Sequence, residues 1–188
     1  MIHVKRIFIT LALVANVILL YAVWRGMNIG DTSTNSPEVQ RLVGTHMFIG
    51  LGALIFAAFV HVIALTYFMG TGRFLEETSK AYSLSSEFHD RSQRLKYRML
   101  PGMTLCLLLL IATGALGAVA DQATPASLTE TFGMADARIH FGGVVVMLAF
   151  NLVVTLLEYR AVAGNSLVID QVLAEVRRIR CERGLMVE

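Results

Sequence analysis

The sequence predicts an all-α integral membrane protein, a four-helix bundle of two tandem transmembrane hairpins. Three observations carry that class. Of the 188 residues, 55% are apolar and 16% charged, with a mean hydropathy of +0.62; a soluble domain has about 45–50% and about 25%. The apolar excess is gathered into four blocks, each of roughly 20 residues or more, the length that crosses a hydrocarbon core about 30 Å thick. Within each block the apolar residues run on without alternating, which suits a helix in lipid and not a strand of a membrane barrel. The same figures exclude a soluble globule and a disordered chain. A formal net charge of +2 with no basic stripe excludes a nucleic-acid binder.

The first block runs from Ile7 to Trp24. Lys5 and Arg6 ahead of it resemble the start of a signal peptide, but Tyr21-Ala22-Val23-Trp24-Arg25 is a poor cleavage site. A retained helix anchored by Trp24 at the interface is expected. The second block spans Leu42 to Met69, the third Met99 to Ala120 and the fourth Ile139 to Tyr159. Pro101 suits the first turn of the third helix, where its missing N–H costs nothing. The connections Arg25–Arg41 and Asp121–Arg138 are polar and carry turn formers, Asn35-Ser36-Pro37 and Thr124-Pro125. Thirteen of the sixteen Lys and Arg residues fall on the side of the termini and the middle loop; Arg25, Arg41 and Arg138 fall on the other. The positive-inside rule therefore places both termini in the cytoplasm. A multi-pass protein of the bacterial inner membrane is expected. Cys106 and Cys181 offer no disulfide framework.

Cut at residue 94, the chain divides into 1–94, a hairpin plus cytoplasmic loop, and 95–188, a hairpin plus amphipathic cytoplasmic tail. A shift of 94 residues puts His46 on His140, Phe56 on Phe150 and Gly70 on Gly164. The likeness is one of layout, and it implies a pseudo-twofold axis along the membrane normal. Asn165 and Ser166 read as N-caps of a tail helix whose Val168, Ile169, Val172, Leu173, Val176 and Ile179 recur at helical spacing. That helix is expected to lie on the membrane, to dock on a soluble partner or to rest as a solvated tail. The middle segment, Gly70 to Tyr97, is polar and free of catalytic motifs.

No phosphate loop, CxxC, HExxH or nucleophile elbow occurs in the chain. Five histidines remain. His3 and His89 read as solvated. His46 and His140 each open the second helix of their half, on one side of the membrane and at similar depth. Two opposed imidazoles are the axial ligands of a six-coordinate haem iron. Gly50, Ala53 and Ala57 follow His46 on its own face and predict a shallow groove beneath it, while Gly142 and Gly143 flank His140. Arg41 and Arg138 are placed to pair with haem propionates. Helix packing by small residues explains the same stripe without a cofactor. A copper ion or a chlorophyll-type pigment held by histidine are further readings. The layout is similar to that of four-helix membrane b-type cytochromes and the haem-bearing anchors of respiratory complexes, a likeness of architecture without a family motif.

A second polar group lies deeper, where ionisable side chains are costly unless paired and are functional candidates. His61 sits some 15 residues inward from His46. Asn151, Thr155 and Glu158 form a stripe on the fourth helix. A quinone or proton site using His61 and Glu158, and a second haem on His61, are both open. So is a structural reading, in which His61 bonds Thr155 and Glu158 snorkels toward Arg160. The expected function is a haem b electron-transfer subunit, exchanging electrons with quinone or with other membrane or soluble subunits of a redox complex. Two other classes stand beside it: a cofactor-free assembly subunit, and a small transporter or channel subunit that oligomerises around the Asn151–Glu158 stripe.

Overall fold

The computed structural model describes residues 2–30 and 36–185; the side chain of His3 and the turn residue Asn35 lie outside the described residues. Five helices follow in order: α1 Ile2–Met27, α2 Pro37–Tyr82, α3 Glu87–Val119, the single turn α4 Thr129–Phe132, and α5 Asp136–Glu182. No strand occurs among the described residues. The four long helices are each apolar and long enough to cross a membrane.

Local chemistry sets the ends. Ser36 caps α2 by accepting from the Val39 N–H at 3.3 Å, and Pro37 and Glu38 occupy the first turn. The helix stops where Ser83 turns left-handed at φ 56°, and Leu84 N–H then bonds the Ser79 carbonyl at 2.9 Å. In the second outer connection the Asp136 carboxylate accepts from the Ser127 hydroxyl and the Leu128 N–H, both at 2.8 Å. That ties α4 to the first turn of α5.

The helices are longer than the apolar blocks. At 1.5 Å per residue the 47-residue α5 extends roughly 70 Å, more than twice a hydrocarbon core. The middle segment is accordingly a helical hairpin, with α2 and α3 meeting at residues 83–86, and not a loop. Nor does a new helix start at Asn165-Ser166. Both residues are buried inside a continuous α5, because their side chains find partners on α2. Pro101 lies more than three turns inside α3, not in its first turn. Its ring is exposed, on the lipid side, where no neighbouring helix is obstructed.

Helices α2 and α5 are the central pair. Each packs against the other, and each also packs against α1; both pack against α3. The layer shared with α1 is built from small residues, Ala12, Ala15, Ala22, Ala53, Ala57 and Ala64, which let backbones approach where packing alone drives association. A middle layer gathers Phe68, Met99, Met103, Cys106, Val154 and Val162. Beyond the reach of α1, the extended parts of α2, α3 and α5 close a third core on Leu75, Val168, Ile169 and Val172. The outer faces expose Phe48, Leu51, Ile55, Ile111 and Leu156. Such a belt would be a liability in water and is ordinary in lipid.

Candidate functional site

Two histidine clusters lie between α2 and α5, the first half-buried and the second fully buried. The first sits at the end formed by the C-terminus of α1 and the N-terminus of α5. His46 of α2 and His140 of α5 meet with ring centroids 6.3 Å apart and planes at 70°. His46 Nδ1 stands 3.0 Å from the Ala22 carbonyl of α1. A carbonyl only accepts, so Nδ1 carries the proton and Nε2 keeps the lone pair. His140 Nδ1 is buried without a hydrogen-bond partner, with the backbone of Thr113 on α3 beside it.

Each ring also lies against a glycine of the neighbouring helix. A Cβ on Gly26 would fall 2.8 Å from His46 Cε1, and one on Gly117 would fall 3.1 Å from His140 Cε1. Gly26 follows Ala22 by four residues, and Gly117 follows Thr113 by four. The two imidazoles thus have matching settings, each held between its own hairpin's helices.

The sequence pointed elsewhere for the small residues. Ala53 and Ala57 are fully buried in the core shared with α1, so helix packing occupies the groove expected beneath His46. At Gly50 and Gly142 a Cβ would meet nothing within 4 Å, while at Gly143 it would press on Leu116. Arg41 and Arg138 are both exposed, five residues before His46 and two before His140. Arg25 holds a buried Nε without a partner at this end. Among the described residues no three His, Cys, Asp or Glu side chains converge as a metal site.

The second cluster joins all four long helices. His61 and Glu158 are 1% and 0% exposed. His61 Nδ1 lies 2.8 and 2.9 Å from the two Glu158 carboxylate oxygens. Its Nε2 lies 3.1 Å from Asn151 Oδ1 and 3.4 Å from Cys106 Sγ of α3. Asn151 Nδ2 donates to Asn16 Oδ1 of α1 at 3.0 Å, and Asn16 Nδ2 donates to the Ala12 carbonyl at 2.7 Å. Both nitrogens of His61 are engaged, which leaves no lone pair for a second haem. Thr155 is buried but is not the partner of His61, and Glu158 is enclosed instead of snorkelling toward the exposed Arg160. The bidentate contact with His61 holds the carboxylate inward.

Further along the same seam Tyr67 and Ser166 hydroxyls stand 3.3 Å apart, and Asn165 Nδ2 donates to Thr71 Oγ1 at 2.8 Å. His89, expected to be solvated, is half-buried, with Nδ1 3.2 Å from the Gly72 carbonyl and Nε2 3.3 Å from Gln93 Nε2.

Sequence reasoning missed Asn16, Tyr67 and Cys106 as members of these layers, and Gly26 and Gly117 as cradles. A depth count finds the first layer. Asn16, Cys106 and Asn151 lie ten or eleven residues inward from Gly26, Gly117 and His140 respectively. Polar groups at one depth on different spans have each other as their cheapest partners. No family model, curated protein or solved structure matches the chain.

Proposed function

We propose that the chain is a membrane electron-transfer subunit of b-type cytochrome character, in which His46 and His140 hold a haem as its two axial ligands. The observation that carries this reading is the pairing of the two imidazoles across α2 and α5, 6.3 Å between centroids, each against a glycine. The two rings are near enough that both could reach one metal, which would require a nitrogen of each to face it. Two protein donors are too few for a bare ion, so His46 and His140 would suit a metal that brings further ligands of its own, as haem iron does. The donor chemistry fits too. The Ala22 carbonyl fixes the proton of His46 on Nδ1 and leaves Nε2 for a ligand, the arrangement expected of ligating histidines. The Thr113 backbone lies beside the His140 ring, whose Nδ1 is buried without a hydrogen-bond partner.

Haem b in such a site supplies a one-electron redox centre. The chain's own residues set its surroundings. Gly26 and Gly117 let the imidazoles seat close to α1 and α3. The apolar Ala53–Met147 layer beneath excludes water. Arg25, Arg41 and Arg138 place three guanidiniums at this end, suited to carboxylates. The matched settings of the two histidines support the pseudo-twofold relation of α1–α2 to α3–α5. The excess of Lys and Arg at the opposite end supports a cytoplasmic location for it. The outer connections are too short to carry a catalytic domain, so quinone or a partner subunit would complete the electron path.

The test is the haem-to-protein ratio of the chain purified in native lipid with its partners. One haem per chain is expected, falling toward zero in His46→Ala and in His140→Ala. A ratio near zero in the native chain, or one unmoved by either substitution, contradicts the assignment.

A further inference from the structure

The hydrogen-bond polarity of the second cluster can be read from one end. The Ala12 carbonyl only accepts, so Asn16 Nδ2 donates to it and Asn16 Oδ1 is left to accept from Asn151 Nδ2. Asn151 Oδ1 must then accept, and His61 Nε2 must donate to it. That proton stays in place in every state of the cluster. The one labile position is the contact between His61 Nδ1 and the Glu158 carboxylate. With a proton there, the pair is neutral overall, as imidazolium and carboxylate or as imidazole and carboxylic acid. Without it, an imidazole lone pair faces a carboxylate inside the bilayer. Cys106 on α3 is the other titratable group at the cluster, and α1 contributes only the uncharged Asn16.

Successive polar layers approach this position from the hairpin end of the bundle. An open cleft of about 440 Å³ at the α2–α3 hairpin is walled by Glu76, Ser79, Lys80, Ser86 and His89. His89 adjoins Gln93, and Gln93 lies against Gly72, where a Cβ would come within 3.2 Å of its Nε2. Thr71 and Asn165 come next, then Tyr67 and Ser166; two turns of α5, with the buried Ala161 and Val162, then separate Ser166 from Glu158. Gln93 Oε1 and Asn165 Oδ1 are buried acceptors without a protein donor. Buried oxygens of this kind are met by water. Toward the His46–His140 pair the core is apolar instead, with Ala53, Ala57, Leu110 and Met147 in the way.

We propose that His61 and Glu158 form an intramembrane proton-binding site, loaded from the hairpin end of the bundle through the Gln93, Asn165–Thr71 and Tyr67–Ser166 layers. The site takes up one proton between Nδ1 and the carboxylate and returns it by the same route. It stands independently of the histidine pair above it.

Infrared difference spectra of the lipid-reconstituted chain, recorded between two pH values, test the site. A signal from the carboxyl and imidazole groups is expected in the native chain and is lost in Glu158→Gln, which keeps the side chain's shape. A native chain without that signal while it remains folded, or a Glu158→Gln signal identical to the native one, overturns the site. Transfer to heavy water tests the route. Tyr67→Phe and Ser166→Ala each remove one hydroxyl, and exchange is expected to slow about tenfold, the rate equivalent of roughly one lost hydrogen bond. Unchanged exchange in both variants overturns the entry path.

Discussion

The two histidine clusters use the same helices and differ in how completely their nitrogens are satisfied. His61 has an oxygen on each side, and one of its partners, Asn151, is bonded back through Asn16 to the Ala12 backbone. His46 has one carbonyl, and His140 has a buried Nδ1 without a partner. A saturated imidazole inside a membrane holds a proton; one with a spare lone pair is suited to a metal. The surroundings follow the same division. Glycines on α1 and α3 clear space around the upper pair, whereas polar side chains from all four spans converge on the lower one.

Substitutions that break this contrast are ordered by the groups they leave unpaired. Glu158→Ala strands His61 in the core, and a loss of about 3–5 kcal/mol is expected in detergent unfolding. The double variant His61→Leu/Glu158→Leu should recover most of that loss, because no charge is left uncompensated; a double variant as unstable as the single one would show that the pair is not the cause. Asn16→Ala leaves the Asn151 amide without its acceptor and should cost about 1–3 kcal/mol in the same assay. Tyr67→Phe removes one hydroxyl at a 3.3 Å contact, so about 0.5–1.5 kcal/mol is the upper range for stability. The smallest stability effect is expected from Gly26→Ala. Crowding of His46 Cε1 opposes the gain of about 1 kcal/mol in helix propensity, so the net change stays under about 1 kcal/mol. Its haem retention should nevertheless drop, and full retention would separate the glycine from the site.

Much of this was legible in the residues because lipid imposes simple rules. The four blocks, their helicity and the special standing of His46, His140, His61 and Glu158 all follow from the cost of polar groups in hydrocarbon. Helix lengths did not follow. Polar composition over Gly70–Tyr97 reads as loop, yet Leu75, Phe88 and Val172 give the extended helices a core of their own. Asn165 and Ser166 read as caps because their chemistry suits caps. Partners on α2, invisible in a single segment, turned them into interior residues. Gly26 and Gly117 escaped notice because a glycine at the end of an apolar block gives no sign of what it faces. The face of a helix that meets a histidine is set by the crossing of two helices, and no periodicity within one of them records it.

The central claim is that the His46–His140 pair is a ligand pair. A reduced-minus-oxidised visible spectrum of the chain, purified in native lipid with its partners, tests it most directly. The expected result is a shifted Soret band with an α band of low-spin bis-imidazole haem, lost in His46→Ala and in His140→Ala and retained in Glu158→Gln. A colourless native protein, or low-spin bands that survive both histidine substitutions, would contradict it.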